Sequence, residues 1–231
     1  MSFVKSCHSN KRKLIFFILF LVEIISIAIA FCSCKTQINY FEYVSELRSN
    51  ILLGETEGLY ARVYAIEKEQ PYIADGIKRT VNKRTEIYLT AQTSEKEYIL
   101  SFETNGQTYK GDTVYDNVKS EYYFSCDADV SMLSDLMLYI EYDGHKVALN
   151  TTSARNENTL SPEDAFHQLY NENVKLFENL TDKYGFTGEI YIRLIYEDAA
   201  YYYFGVIEKN GKITAFLMNA ESGKILAKRE N

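Results

Sequence analysis

Residues 14–32 limit what the rest of the chain can be. They form an apolar run of mostly Leu, Ile, Phe and Ala directly behind the basic triplet Lys11-Arg12-Lys13. Basic residues resist translocation, so this order predicts a head in the cytoplasm and a body delivered to the far side of a membrane. The run is just long enough to span hydrocarbon. Glu23, near its middle, costs about 2.5–3.5 kcal/mol on insertion scales. The surrounding Leu and Phe offset that cost, and insertion is still expected. Residues 1–34 are therefore read as a signal or anchor segment, and the fold must be built from residues 35–231.

The body is acidic. Lys5, Lys11, Arg12 and Lys13 against Glu23 give residues 1–34 a net +3, so the remainder carries −10 for a chain total of −7. An acidic body repels phosphate backbones, and no nucleic-acid partner is expected. Only Cys126 lies outside the first 34 residues, so the body has no internal disulfide and rests on its core alone. Tyr is frequent at 20 residues and Pro scarce at 2. Tyr suits half-buried sheet surfaces, so many strands are expected.

The apolar run closes on Ile29-Ala30-Phe31-Cys32-Ser33-Cys34. This resembles bacterial lipoprotein signals, in which a cysteine after small residues is lipidated on cleavage. Cys34, behind small Ser33, is the better lipidation candidate, and Cys32, behind bulky Phe31, the second. An uncleaved transmembrane helix and a cleaved, released form stay open beside the lipid anchor. A lipid anchor or an uncleaved helix leaves the body on a tether.

In residues 35–57, Tyr40, Tyr43, Val44 and Leu47 recur at helical spacing and predict an amphipathic lead helix or stalk. From 58 to 152 the period changes to two, with short strands expected at 59–66, 85–91, 98–103, 107–109, 122–126, 136–142 and 146–150. Asn105-Gly106 and Asp143-Gly144 are tight hairpin signals. Such a run predicts an antiparallel β-sandwich of immunoglobulin-like architecture, without the Cys…Trp…Cys hallmark. Residues 153–159 are polar and aperiodic and read as a linker. From 160 to 231 an α+β unit is expected. Ser161 caps a helix with Pro162 at its first position and Glu163-Asp164 in its first turn. A meander over 189–196, 201–208, 212–218 and 225–229 comes next, with Asn210-Gly211 as a two-residue turn.

That last part resembles the PepSY family of small extracytoplasmic domains. The resemblance rests on Tyr203-Phe204-Gly205-Val206-Ile207, Asn210-Gly211, Ala215 and the close Asn219-Ala220-Glu221-Ser222-Gly223-Lys224-Ile225-Leu226. Asn219 and Ser222 stand where the family shows Asp and Thr. The whole chain is similar to anchored proteins of Gram-positive bacteria that place such a module after a β domain. The resemblance implies binding or inhibition of a secreted protein and brings no catalytic residue.

Little else carries chemistry. His8, His145 and His167 share no metal-ligand spacing, no Cys-x-x-Cys occurs, and no glycine-rich phosphate loop or nucleophile elbow is present. No metal and no cofactor are expected. Two surface features are candidate binding sites. Lys78, Arg79, Lys83 and Arg84 form the one basic cluster of the body and suit an anionic cell-wall polymer. Tyr196, Tyr201 and Tyr203 form an aromatic patch that suits a protein partner. The expected function is a non-enzymatic, extracytoplasmic, membrane-tethered binding or regulatory module. A secreted hydrolase or its accessory subunit, and a structural envelope component, are the alternatives.

Overall fold

The computed structural model describes residues 38–71, 77–92 and 96–231. The expected anchor, with Cys32 and Cys34, lies outside the described residues. Among the described residues no helix is long and apolar enough to cross a membrane. Residues 39–231 form one compact unit.

A 3-10 turn, Tyr40–Tyr43, capped by the Asn39 side chain, opens the unit. Nine strands follow: β1 (Val44–Thr56), β2 (Leu59–Glu69), β3 (Val81–Ala91), β4 (Ile99–Thr104), β5 (Gln107–Asp112), β6 (Val114–Asp116), β7 (Glu121–Cys126), β8 (Asp135–Tyr142) and β9 (His145–Ser153). Helices α1 (Pro162–Glu172) and α2 (Val174–Asn179) come next. A two-residue pair, β10 (Thr181–Asp182) and β11 (Gly185–Phe186), leads into β12 (Glu189–Tyr196), β13 (Ala200–Ile207), β14 (Ile213–Asn219) and β15 (Ile225–Glu230). The molecule is strand-rich, with a large, mainly antiparallel sheet, and is compatible with a β-sandwich-like fold.

The expected lead helix is replaced by a strand. Only Tyr40–Tyr43 turns helically, and residues 44–56 run extended as β1. The reason is tertiary. β1 pairs with β2 along nearly its whole length, with β12 in parallel at its start (Val44↔Ile190, Arg48↔Arg193), and with β9 at its end (Leu52↔Ser153, Leu53↔Thr152). Partners on both edges satisfy the backbone and outweigh a local helical spacing.

β1 also changes how the two expected blocks are connected. It pairs with β2 and β9 of the first and β12 of the second, so the sheet runs β15-β14-β13-β12-β1-β2-β3-β7-β6 without a break. Residues 153–159 are a hydrogen-bonded connection. The Ala154 N–H donates to the Ile51 carbonyl at 2.8 Å, and Asn156 Nδ2 donates to Glu221 Oε1 at 2.6 Å.

One face of this sheet is covered. Over its β1-β2-β3-β7 part lie β4, β5, β8 and β9, and the shared core includes Leu52, Val63, Ile87, Leu89, Leu100, Phe102, Leu138, Ile140 and Leu149, each at most 1 % exposed. The chain crosses between the layers at Thr113: β5 pairs with β4, and β6, one residue later, pairs with β7. Among the buried polar groups there, Asn50 donates to the carbonyls of Val130 and Leu133 and accepts from the Ser153 hydroxyl.

Over the β12-β13-β14 part lie the helices. Ile190, Ile192, Leu194, Tyr202, Phe204, Val206, Phe216 and Met218 alternate onto this side and are buried. Tyr202 donates its hydroxyl to the Leu160 carbonyl, just before α1. Phe177 of α2 is fully buried in a ring cluster with Tyr40 (5.3 Å), Phe166 (5.6 Å), Tyr170 (5.4 Å) and Phe186 (6.2 Å).

The turns separate good signals from deceptive ones. Asn105-Gly106 and Asp143-Gly144 are two-residue turns with both φ values positive, and Glu57-Gly58 is a third. Asn210-Gly211 is not a two-residue turn. Among the pair only Gly211 has positive φ (+84°), and its N–H donates to the Glu208 carbonyl, which makes a three-residue loop of Lys209, Asn210 and Gly211. The Asn210 carboxamide accepts from the Lys212 N–H and holds the backbone in this form. Glu208, not Lys209, therefore faces Lys212, and the two form an ion pair at 3.8 Å.

Candidate functional site

The opposite face of the long sheet is lined by alternating Tyr, Arg and Glu. No described element covers it. Alternation decides which residues point there. On β2, Ala61, Val63 and Ala65 enter the core, so Tyr60, Arg62 and Tyr64 turn outward. Their register partners on β3 are Thr90, Tyr88 and Glu86, and Tyr88 faces Tyr123 of β7. On β1 a register shift between Arg48 and Asn50 puts Arg48 on this face while Asn50 and Leu52 enter the core. Arg193 and Tyr191 of β12, and Tyr203 and Tyr201 of β13, extend the row. From β7 to β13 it crosses six strands, about 24 Å at the usual spacing.

The rings and cations interlock. Tyr64 and Tyr88 meet edge to face at 5.6 Å, and Tyr88 and Tyr123 lie at 5.2 Å. The Arg48 guanidinium sits 4.1 Å over the Tyr64 ring and Arg193 sits 4.7 Å over Tyr191. Arg62 pairs with Glu121, and Arg84 lies 3.7 Å from Glu86. Burial, then the nearby Glu86 carboxylate, raises the Tyr88 hydroxyl well above its ordinary value. Glu46 accepts from Arg193 Nε at 2.5 Å and lies 3.3 Å from Lys68. Burial raises its carboxyl, but Arg193 and Lys68 together outweigh burial and hold it below the usual Glu value.

Gly205 lets this surface close. A Cβ there would stand 1.9 Å from the Tyr191 ring, so only glycine admits the ring across β13. Tyr191 is 8 % exposed although it lies on the uncovered face.

The expected aromatic patch divides. Tyr201 and Tyr203 lie on this face, half-buried; Tyr201 donates to Asp198 Oδ1, and Tyr203 lies 5.9 Å from Tyr191. Tyr196, at the end of β12, is exposed. It lies among the groups acting on the Tyr60 hydroxyl, which burial raises.

The expected basic cluster is engaged within the molecule. Lys78 pairs with Glu42. Lys83 lies 3.0 Å from Asp129 and 3.5 Å from Glu67, and Arg84 Nη2 donates to Ser125 Oγ at 2.6 Å. The Arg79 N–H donates to Glu69, and its guanidinium donates to the Ile77 carbonyl. Cys126 is half-buried, and burial pushes its thiol up. Arg48, Arg62, Tyr64, Tyr88, Tyr123, Tyr191 and Arg193 were not singled out from sequence. Their signal was present: Tyr60, Arg62 and Tyr64 share one parity, as do Arg84, Glu86 and Tyr88.

A second feature is a cleft of about 840 Å³ at one end of the sandwich, lined by Glu97, Asp112, Glu141, Asp143, His145 and two lysines, among others. Two of its acids are paired. Lys110 and Lys146 hold Glu141, Lys110 foremost in lowering its carboxyl, and Lys96 lies 3.0 Å from Asp143. Among the described residues no three His, Cys, Asp or Glu side chains gather as a metal-holding group. No protein-family model, no curated protein and no solved structure matches the chain.

Proposed function

We propose that the chain is a non-enzymatic, membrane-tethered binding or regulatory module on the extracytoplasmic side, and that the uncovered sheet face is its binding surface. The observation that carries this reading is the Tyr–Arg row over six strands, in which cations are held by rings and carboxylates within the molecule. Tyr and Arg dominate protein-recognition surfaces because they offer area, a polar end and little flexibility lost. In this reading the β1–β9 part is an immunoglobulin-like sandwich, and α1 to β15 is a PepSY-like unit. The partner is a secreted protein that the module binds or inhibits. Residues 1–34 supply the tether.

Site-directed photocrosslinking tests the surface. A photoreactive residue is placed at Tyr64 or Tyr203 of the full chain in its native host, and at Met137 or Tyr139 on the outer side of β8 as controls. A discrete adduct from the first pair alone supports the reading. Equal adducts from both pairs, or none, would overturn it. The tether is tested separately with a fatty-acid analogue: lipidation at Cys34 predicts that Cys34→Ala abolishes labelling. Label that survives in Cys34→Ala but not in Cys32→Ala moves the site to Cys32, and no label favours an uncleaved helix.

The carboxylates and His145 of the cleft are the one observation favouring a hydrolase. The lysines paired with Glu141 and Asp143 work against either of these two as a general acid, because a neighbouring cation favours the ionised carboxylate.

A further inference from the structure

We infer that the uncovered face docks an acidic peptide segment of a partner protein, with Arg48 at the centre of the site. This rests on the binding-module reading and adds the chemistry of the partner.

Charge is unevenly shared along β1 and its neighbours. Among the described residues Arg48 forms no ion pair, and its Nε is buried without a hydrogen-bond partner. Across the strand it faces Arg193, whose charge opposes its own. The nearby carboxylate, Glu46, is already taken by Arg193 and Lys68. The Nε atoms of Arg62 and Arg84 on the same face are likewise buried without a hydrogen-bond partner, but each of these arginines has a carboxylate beside it, in Glu121 and Glu86. Arginine stays protonated even where it is half-buried. A guanidinium without a carboxylate is costly to keep out of water, and an incoming carboxylate would relieve Arg48 by a charge-assisted hydrogen bond.

The surplus is local, because the body as a whole carries −10. The chain's own N-terminal residues are a poor occupant. Residues 1–37 contain Lys5, Lys11, Arg12, Lys13 and Lys35 against the single acid Glu23.

The surroundings favour a peptide over an anionic polymer. Tyr64 separates Arg48 from Tyr88, and Lys119 lies 5.1 Å over the Tyr88 ring. Beside it is a groove of about 420 Å³ formed by Tyr88, Val114, Tyr115, Asp116, Lys119 and Tyr123. Val114 is 68 % exposed, and Val118, in the turn that carries Lys119, is 94 % exposed. Exposed valines and tyrosine faces gain nothing from a phosphate chain, but they would cover apolar side chains. β1 and β3 are two strand spacings apart, about 10 Å, which roughly three residues of extended peptide cover. The segment that fits carries two acids about three residues apart with apolar residues between them.

The test uses the full chain in detergent micelles, with arginine side chains labelled for NMR. The probe is Ac-Glu-Phe-Val-Glu-Phe-NH2. Its lysine-for-glutamate counterpart and inorganic polyphosphate serve as comparisons. The Arg48 Nε–Hε signal is expected to move saturably with the acidic peptide and not with the basic one. Arg48→Met, which keeps the stem over Tyr64, should weaken binding about tenfold or more while cooperative unfolding is retained. Arg48→Lys should retain part of it. No saturable shift, an unaffected Arg48→Met variant, or tighter binding of polyphosphate would overturn the inference. The two readings then separate. Crosslinks at Tyr64 that persist in Arg48→Met leave the binding module standing without the acidic peptide, whereas their absence in the wild type removes both.

Discussion

The two faces of the long sheet are made from the same strands by opposite chemistry. Toward the helices and the second layer, positions such as Val63, Ile87, Ile192 and Phe204 are fully buried and apolar. One residue along, the other face carries Tyr64, Glu86, Arg193 and Tyr203. The covered face is stabilised by removing apolar area from water, which needs no particular partner. The uncovered face is held by pairwise geometry: a ring under a guanidinium, a carboxylate between two cations. Stability therefore sits mainly on one side, and specificity sits mainly on the other.

The largest expected effect is on the covered side. Phe177→Ala removes a fully buried ring that touches Tyr40, Phe166, Tyr170 and Phe186, and should cost about 3–5 kcal/mol. Urea unfolding of residues 39–231 measures it. A loss below about 1 kcal/mol would mean that the helices do not close a core and that the contrast between faces is false.

Gly205→Ala probes the uncovered face where it most resembles a core. The added methyl must displace the Tyr191 ring, at a cost of about 1–3 kcal/mol. If the collision is with that ring, Tyr191→Ala should absorb most of the cost in the double variant. Additive losses would place the strain in the β13 backbone instead.

Glu46 tests the electrostatic part. Glu46→Gln leaves Arg193 and Lys68 without this carboxylate and should cost about 1–3 kcal/mol at pH 7. Because the folded pKa is lowered, the ion pair's contribution is complete above the ordinary Glu value of 4.5 and is lost as pH falls through the folded value. Wild type and variant should therefore converge in acid. A constant difference from about pH 7 down to about pH 3 would assign the effect to packing.

Legibility followed whether a signal was local. The 189–196 strand, the Ser161 cap and the Asn105-Gly106 and Asp143-Gly144 turns depend on near neighbours, and all are present. The helical spacing at the start of β1 misleads because its strand state comes from β2, β9 and β12, of which β9 and β12 are distant in sequence. Asn210-Gly211 misleads because the Asn210 carboxamide, which accepts from the Lys212 N–H, competes with the two-residue turn. The basic cluster looked free because Glu42, Glu67 and Asp129 reach it only through the fold. Tyr201 and Tyr203 were visible from alternation, but Arg48 was not, since the shift at Ser49 reverses the side to which β1 residues point.

The smallest expected effect lies within the uncovered face, between Tyr64 and Tyr88. Their rings meet edge to face, which is worth about 0.5–1.5 kcal/mol beyond area. A double-mutant cycle, Tyr64→Leu with Tyr88→Leu, should return a coupling of that size from unfolding midpoints. The single losses mix area, the Tyr88 hydroxyl's bond to Glu86 and the Arg48 contact, so only the cycle isolates the ring pair. Repeating the cycle with Arg48→Met in the background sharpens it. If Arg48 fixes the Tyr64 ring, the coupling should fall by about half or more, since the geometry then loosens. An unchanged coupling would show that the rings hold each other without the cation. Arg48 would then be free to serve a ligand without cost to the row. A coupling near zero in both backgrounds would mean that the rings stand side by side without holding each other, and the uncovered face would be ordered by its strands alone.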